Sequence, residues 1–254
     1  MNQNFILQTQ DLSVWFPIST GVLSGLRPRY IRAVNGVSLS VQRGETLGIV
    51  GESGCGKTTL GRTIMKLQPP TSGRIIFDGT DITDYGFREM KPIRRNLQMI
   101  FQDPYASLDP RMRVGECIGE PLALQQPALT RDERRTAVLK LMEQCGLPEK
   151  DYEKFPHEFS GGQRQRIGIA RALVLHPKLL LCDEPVSALD VSIQAQLINL
   201  MMKLQREYEL TMLFISHDLS VISHVADRVA VMYLGQIVEL ATRDEIFRRP
   251  LHPY

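Results

Sequence analysis

The chain has 254 residues, 43% hydrophobic and 23% charged, so it can bury a sizeable core. Its 30 basic and 28 acidic residues give a formal charge of +2, which lacks the basic excess typical of nucleic-acid binding, and we expect no nucleic-acid partner. No apolar run reaches the ~18–20 residues of a membrane span, and the first residues do not resemble an export signal. The four cysteines lack the spacing of a zinc site or a disulfide framework. A cytosolic location is therefore expected.

Alternating apolar residues predict an antiparallel β part near the start of the chain. Residues 5–9 and 12–16 alternate and are predicted to form paired strands, and residues 37–41 alternate again. Between them, residues 19–32 are rich in glycine, arginine and proline and are predicted to form a loop.

Residues 51–58 read G-E-S-G-C-G-K-T, which fits the phosphate-binding pattern G-x-x-x-x-G-K-[ST]. The apolar run 45–50 before them is predicted to be a buried strand, and residues 59–66 after them a helix. In this setting the backbone N–H groups and the positive end of the helix dipole face an anion, so the pattern predicts a P-loop that binds a nucleoside triphosphate. The residues expected to contact the nucleotide are Gly51, Ser53, Gly54, Cys55, Gly56, Lys57, Thr58 and Thr59.

Residues 103–165 are predicted to form a mostly helical insertion in an α/β core. Thr130 and Glu133 have the spacing of a capping box at a helix start, and apolar residues follow at helical spacing. Gly146 and Pro148 are predicted to end that helix.

Three later apolar runs, at 179–182, 212–215 and 229–233, are predicted strands, with a helix at 191–208 between the first two. Strand–helix–strand order predicts a parallel sheet. The first of these strands ends in Asp183 and Glu184, the pattern of the acidic strand of a P-loop protein. Asp183 is expected to hold Mg²⁺, directly or through water, together with Thr58, and Glu184 to act as general base on the attacking water.

A second phosphate site is predicted ahead of the helical run 164–173, where residues 159–163 read F-S-G-G-Q. One chain needs one γ-phosphate site, so a second cradle implies that another chain's nucleotide docks there. With Ser160, Gly161, Gly162 and Gln163 as its signature motif, the chain resembles the nucleotide-binding subunit of an ATP-binding cassette (ABC) transporter.

The resemblance implies roles for three further polar residues. Gln102 matches the Q-loop glutamine, which contacts Mg²⁺ and water and senses the membrane partner. Asp190 matches the D-loop that crosses the dimer interface, and His217 matches the switch histidine that contacts the γ-phosphate. The ligands implied are ATP and Mg²⁺.

An aromatic residue that stacks on adenine is also implied by the resemblance. Phe16 matches that position best, and Trp15 and Tyr30 are the alternatives.

The fold implied is a P-loop NTPase (RecA-like) α/β core with a parallel sheet, an N-terminal antiparallel β part and an inserted helical subdomain. We expect one ABC ATPase domain over residues 1–254, with the core at 1–102 and 166–254 and the helical signature subdomain at 103–165. Two such subunits are expected to close head to tail around two ATP, with Ser160 and Gly162 acting in trans.

Residues 101–112, F-Q-D-P-Y-A-S-L-D-P-R-M, and the ending P-L-H-P-Y at 250–254 resemble the oligopeptide, dipeptide and nickel importer branch in bacteria. The branch implies an ATPase of the translocase class, peripheral on the cytoplasmic face of the membrane. Its partners would be a second ATPase subunit (the same or a related chain) and integral membrane permease subunits, which receive cargo from an extracytoplasmic binding protein. The permease contact is expected near residues 102–113. Members often continue past His-Pro-Tyr with a cysteine cluster for an iron–sulfur centre; we expect no such centre in these residues.

The main hypothesis is therefore the ATPase subunit of a peptide importer. A nickel importer subunit and a non-transport ABC ATPase partner of a phosphonate-degrading complex are alternatives. A DNA-associated ATPase is disfavoured because the chain lacks long coiled-coil or basic insertions, and a kinase because it has no use for residues 160–163. The cargo, and the choice between homodimer and heterodimer, stay open.

Overall fold

A computed structural model describes residues 4–18, 29–103 and 107–254. The strands in chain order are β1 Phe5–Ile18, β2 Arg29–Gln42, β3 Thr46–Val50, β4 Ser72–Phe77, β5 Thr80–Asp81, β6 Leu97–Ile100, β7 Leu179–Asp183, β8 Thr211–Ile215, β9 Arg228–Tyr233 and β10 Gln236–Thr242. The α-helices in chain order are α1 Lys57–Ile64, α2 Met90–Asn96, α3 Val114–Gln125, α4 Arg131–Gln144, α5 Gly161–Leu173, α6 Val191–Glu207, α7 Leu219–Val225 and α8 Arg243–Arg248.

Contacts divide the chain into two compact units. The first contains residues 1–85 and 213–254, and the second contains residues 86–212. Among the described residues, no helix has both the length and the apolar composition of a membrane span.

The first unit begins with an antiparallel sheet in the order β2-β1-β4-β5. The two segments predicted as paired strands, 5–9 and 12–16, are in fact one strand, β1, which pairs with β2 along its length. The prediction was wrong because a bulge at Asp11, where φ is 48°, interrupts the alternation without ending the strand. The predicted loop at 19–32 was also too long, because residues 29–32 already belong to β2; residues 19–28 lie outside the described part of the chain.

The second sheet of this unit has the order β10-β9-β3-β8. Strand β3 is buried along its whole length and runs parallel to β9, with Leu47 opposite Arg228 and Val50 opposite Val231. The predicted strand, loop and helix around residues 51–58 are confirmed as β3, the connecting loop and α1, although α1 begins two residues before its predicted start at 59.

In the second unit, β6 and β7 form a parallel pair, and α3, α4 and α5 pack on one another. The capping box predicted for α4 is confirmed: Thr130 Oγ1 accepts from Glu133 N–H at 3.3 Å, and Glu133 Oε2 accepts from Thr130 N–H at 2.8 Å. Gly146 follows the end of α4 with a φ of 73°. The α/β class with parallel and antiparallel β parts is thus confirmed.

Candidate functional site

The loop from Gly51 to Gly56 is held in shape by the backbone of two neighbouring segments of the first unit. Gly56 has a φ of 113°, and a Cβ added to it would lie 2.0 Å from the carbonyl oxygen of Ala33 in β2. Gly51 has a φ of 153°, and its added Cβ would lie 2.2 Å from the carbonyl oxygen of Met232 in β9. Any side chain at these positions would collide with main chain, so packing requires glycine at both.

Lys57, the first residue of α1, is the buried cation of this loop. Its side chain is almost covered, since the residue is 5% exposed. The ammonium donates to the carbonyl oxygens of Gly51 at 2.7 Å and Glu52 at 2.9 Å. These bonds compensate the cost of burying the charge and hold the ammonium against the loop that precedes its own helix. The N-cap of α1 is Gly56, which has no side chain to accept the N–H groups of the first turn.

His217 leaves the sheet close to the start of the same loop. It follows β8, and the N–H of the preceding Ser216 donates to the carbonyl oxygen of Ile49 at 3.1 Å, one residue before β3 ends. Ser216 Oγ accepts from the Asp218 N–H at 3.0 Å, which fixes the turn on the other side of the imidazole. His217 itself is exposed.

Phe16, the residue predicted to stack on adenine, has an exposed ring in the first unit. The residue is 36% exposed and lies opposite Ile31 in the β1–β2 ladder. Ile31 precedes Ala33 by two residues, which is about 7 Å along a strand. The Ala33 carbonyl oxygen is the atom that leaves no room for a side chain at Gly56. The β1–β2 hairpin therefore carries Phe16 to the vicinity of the loop.

The alternative aromatic residues are already engaged with each other. Trp15 is half-buried; the guanidinium carbon of Arg32 lies 4.9 Å from the centre of its ring, and the Tyr30 ring is tilted against it at 6.2 Å. A Trp15 ring covered by Arg32 has less surface to offer a ligand than the exposed Phe16.

A carboxylate and an amide meet beyond the C-terminal ends of two parallel strands in the second unit. Asp183 is the last residue of β7 and only 2% exposed, and Glu184 follows it. Gln102 lies two residues after the end of β6, the parallel neighbour of β7, and its Nε2 donates to Glu184 Oε2 at 3.0 Å. The sequence predicted a role for each of the three separately; the structure brings Gln102 and Glu184 into contact.

Glu184 has an unusual backbone conformation. Its φ is 47°, in the left-handed region that costs a non-glycine residue roughly 1–2 kcal/mol. Ser187 Oγ donates to the Glu184 carbonyl oxygen at 3.1 Å and so helps to hold the turn. Strained backbone conformations of this kind are often found at functional sites, where they hold a side chain in one orientation.

Ser160 begins α5 with a capping box. Its Oγ accepts from the Gln163 N–H at 3.4 Å, and Gln163 Oε1 accepts from the Ser160 N–H at 3.0 Å. Sequence reasoning did not foresee that the Gln163 side chain closes the helix start in this way. Two N–H groups are used by the box, and those of Gly161 and Gly162 are the remaining donors of the first turn.

The start of α5 is packed against the start of α6 within the second unit. A Cβ added to Gly162 would lie 2.5 Å from Ile193 Cγ2. Asp190 caps α6, because its Oδ1 accepts from the Ile193 N–H at 3.0 Å and from Ser192 Oγ at 2.8 Å. These hydrogen bonds hold the pKa of Asp190 below its usual range. The segments that carry Ser160 and Asp190 are therefore neighbours.

The second unit contains a cavity of about 550 Å³, which is lined by residues 107–112, Cys117, Glu120 and Arg171. Arg171 Nη2 pairs with Glu120 Oε2 at 2.7 Å, and its Nη1 donates to the Ser107 carbonyl oxygen at 2.6 Å. Sequence reasoning selected residues 101–112 but missed Glu120 and Arg171, which no local pattern marks. Residues 104–106 of that segment lie outside the described part of the chain.

Another contact that sequence reasoning missed reaches the loop from the end of the chain. The Tyr254 hydroxyl accepts a hydrogen bond from the Glu52 N–H at 2.8 Å. The sequence of residues 250–254 indicates the importer branch and gives no sign of this contact.

Comparison with known proteins gives consistent results. A sequence profile described as ABC transporter matches residues 34–187. The oligopeptide transport ATP-binding protein AppF of Bacillus subtilis is 54% identical over 254 residues, covering 100% of this chain and 77% of that protein. The corresponding values for OppF of Salmonella typhimurium, also an oligopeptide transport ATP-binding protein, are 53%, 98% and 75%. For the dipeptide transport ATP-binding protein DppF of Escherichia coli they are 48%, 99% and 75%.

Solved structures show the same fold. The dimeric ATP-binding cassette MJ0796, in a post-hydrolysis state with ADP and phosphate, superposes with a TM-score of 0.82 at 28% identity, over 93% of this chain and 98% of that one. CbiO1 of Clostridium perfringens, part of the transporter complex CbiONQ, gives a TM-score of 0.81 at 29% identity, over 97% of this chain and 92% of that one.

Proposed function

This chain belongs to the ABC transporter family, and we propose that it is the ATP-hydrolysing subunit that powers a membrane importer of peptides. The observation that carries the proposal is the full-length similarity: relatives named for oligopeptide and dipeptide transport are 48–54% identical over 98–100% of this chain. Nickel import and a soluble phosphonate-degrading complex are disfavoured, because these relatives are named for neither.

The P-loop is proposed to bind the β- and γ-phosphates of ATP. Gly51 and Gly56 leave no room for side chains, and Lys57 already points its ammonium at loop carbonyl oxygens. On binding, the ammonium would exchange those oxygens for phosphate oxygens, and the N–H groups of the first turn of α1 would donate to the anion. Phe16 would stack on adenine, and His217 would donate to the γ-phosphate.

Hydrolysis is proposed to depend on Glu184 as the base that takes a proton from the attacking water. Gln102 orients the carboxylate by the hydrogen bond at 3.0 Å. Oxygen ligands suit Mg²⁺, and those expected here are Thr58, Asp183 and Gln102. When bound, Mg²⁺ would neutralise charge on the β- and γ-phosphate oxygens. Positioning and charge stabilisation supply most of the rate gain in such reactions, and no covalent nucleophile is required.

ATPase subunits of this family act as dimers with membrane permease subunits. Ser160, Gly161, Gly162 and Gln163 are proposed to act in trans on the nucleotide of the second subunit, with Asp190 at the interface. The N–H groups of Gly161 and Gly162 support this, because they lie at a helix start whose cap is otherwise closed.

The cavity at residues 107–112 is proposed to receive a cytoplasmic element of the permease. Part of its lining belongs to the segment that marks the importer branch. The Arg171–Glu120 ion pair and the hydrogen bond from Arg171 to the Ser107 carbonyl oxygen stabilise that lining. The protein would thus sit on the cytoplasmic face of the membrane and meet the extracytoplasmic binding protein only through the permease.

The test is transport by a reconstituted complex. The chain is combined in liposomes with the permease, binding-protein and any second ATPase subunits encoded beside its gene, and ATP-driven uptake of a labelled tripeptide is measured against uptake of nickel. We expect peptide uptake that is lost with Lys57→Ala and kept with Lys66→Ala, whose ammonium instead donates to the Thr83 carbonyl oxygen. Uptake of nickel without peptide, or neighbouring genes that encode only soluble enzymes, would contradict the proposal.

A further inference from the structure

Residues 251–254, here called the C-terminal hook, are fastened to β10 by Glu239. Glu239 Oε1 accepts from the Leu251 N–H at 3.0 Å, and Oε2 accepts from the His252 N–H at 2.9 Å. These hydrogen bonds hold the pKa of Glu239 below its usual range, so the anchoring carboxylate is charged at neutral pH. The Tyr254 N–H donates to His252 Nδ1 at 3.1 Å, which sets the direction of the last residue.

The hook brings Tyr254 to the outer side of the P-loop. Its ring lies against the Tyr233 ring, with centroids 4.6 Å apart, at the end of β9. The turn after Tyr233 touches the loop as well, since the Gly235 N–H donates to the Cys55 carbonyl oxygen at 2.9 Å. From this place the Tyr254 hydroxyl accepts the Glu52 N–H at 2.8 Å.

The peptide unit between Gly51 and Glu52 is therefore held at both ends. Its carbonyl oxygen, which belongs to Gly51, accepts from the Lys57 ammonium at 2.7 Å. Its N–H, which belongs to Glu52, donates to Tyr254. No cis peptide bond occurs among the described residues, and the carbonyl and N–H of a trans peptide point in opposite directions. Tyr254 and Lys57 thus lie on opposite edges of one peptide and do not compete.

We propose that Tyr254 is a positioning residue for nucleotide binding, which fixes the Gly51–Glu52 peptide through its hydroxyl. This inference rests on the proposed phosphate-binding role of the loop. When Lys57 turns to the phosphates, the Gly51 carbonyl oxygen loses its ammonium partner, and glycine gives the peptide freedom to rotate. The Tyr254 bond, on the other edge, does not depend on Lys57 and keeps the peptide in the orientation that the loop needs.

The decisive variant is Tyr254→Phe in the full chain, which removes the hydroxyl and keeps the ring against Tyr233. We expect the Kd for ATP and the KM to rise about 3- to 10-fold, the effect of one neutral hydrogen bond, with kcat within about twofold of the parent. Tyr233→Phe is the matched control, because it removes the other hydroxyl of the ring pair and leaves the Glu52 bond in place; its Kd should not change.

A second variant tests the anchor. Glu239→Ala removes the acceptor of the Leu251 and His252 N–H groups and should raise the Kd as Tyr254→Phe does. The Kd of the double variant should be no higher than the higher of the two single-variant Kd values, because both residues act through one contact. Additive losses would show that the two residues act separately and would overturn the coupling through the hook.

Lys57→Ala in the same binding assay separates the phosphate-binding role of the loop from the positioning role of Tyr254. If Lys57→Ala binds ATP as tightly as the parent, the phosphate-binding role of the loop is wrong. If Lys57→Ala weakens binding but Tyr254→Phe leaves the Kd unchanged, or tightens it, the loop binds ATP and the positioning role of Tyr254 is wrong.

Discussion

The Gln102 amide donates to the Glu184 carboxylate at 3.0 Å, which joins the residues that follow two adjacent parallel strands, β6 and β7. The bond holds a carboxylate whose own backbone is in the left-handed region, with φ at 47°. Glu184 is thus restrained from both its backbone and its side chain, as its proposed role as a base that faces one water molecule would require.

Glu184→Gln should preserve ATP binding and lower hydrolysis by at least about 100-fold, because an amide cannot take a proton from water. The ATP-loaded dimer should then accumulate. Size-exclusion chromatography with light scattering, with and without Mg-ATP, measures this directly. Normal turnover would show that Glu184 is not the base, and a monomer that still binds ATP would indicate that a different ATPase partner is obligatory.

Gln102→Ala should lower kcat by about 10- to 100-fold with little change in the Kd for ATP, because the Glu184 carboxylate loses the group that orients it. Steady-state kinetics and equilibrium binding separate the two quantities. Gln98→Ala, in the strand β6 that precedes Gln102, is the matched control, since the Gln98 amide donates to the Arg94 carbonyl oxygen. Equal kcat values for the two variants would contradict the orienting role.

Lys57→Ala should weaken ATP binding by about 100-fold or more, because the ammonium is the charge proposed to face the phosphates. Thermal unfolding should also show a loss of stability, since the bonds from Lys57 to Gly51 and Glu52 close the loop. Lys66→Ala, measured by the same titration with ATP, should bind as the parent does.

Ser160→Arg should leave the ATP affinity of a monomer nearly intact and abolish dimer-dependent turnover. Thr130→Arg is the matched control, because Thr130 also caps a helix through a capping box, at the start of α4. Both variants lose about 1 kcal/mol of capping, so a fall in turnover confined to Ser160→Arg identifies the trans contact. Turnover that is unchanged in Ser160→Arg would contradict it.

The buried thiols should react slowly with a disulfide reagent in the folded state. Burial raises the pKa of Cys117 to about 11 and that of Cys145 to about 12, and it raises the pKa of Cys182 further. At pH 8 the thiolate of Cys117 is then about 100-fold rarer than for a thiol of pKa 9. Labelling followed by peptide mass analysis, with and without urea, measures the rates; fast labelling of Cys182 without urea would contradict the burial of its thiol in the folded state.

The pH dependence of folding follows from the same shifts. The folded state raises the thiol pKa above its unfolded value of about 9 and so favours the neutral thiol. The resulting contribution to the free energy of unfolding is fully present below pH 9. It declines as the pH rises through the folded value of about 11 for Cys117.

What the sequence predicted well was local. The P-loop lies between a buried strand and a helix, and its spacing is set within eight residues; the capping box at Thr130 and Glu133 is set within four. Such patterns depend on hydrogen bonds between near neighbours, so they can be recognised without knowing the fold.

What the sequence did not predict depends on contacts between distant residues or on a single irregular residue. The bulge at Asp11 shifts the alternation of β1 by one step and made one strand resemble two. The Arg171–Glu120 ion pair and the Tyr254–Glu52 bond join residues 51 and 202 positions apart, which no local pattern indicates. The domain boundaries at 103 and 165 and the roles of the individual site residues stay predictions.

Both close neighbours of the P-loop, at Ala33 and Met232, meet its glycines with carbonyl oxygens. Every amino acid has such an oxygen, so these two contacts do not depend on side chains, but the Met232 side chain also packs against the loop, with its Cε 2.8 Å from a Cβ added to Gly56. A deletion or insertion of one residue in either segment would instead displace the carbonyl oxygens that lie against Gly51 and Gly56. Tolerance to change at Ala33 is therefore governed by segment length more than by residue type, whereas at the buried Met232 both matter.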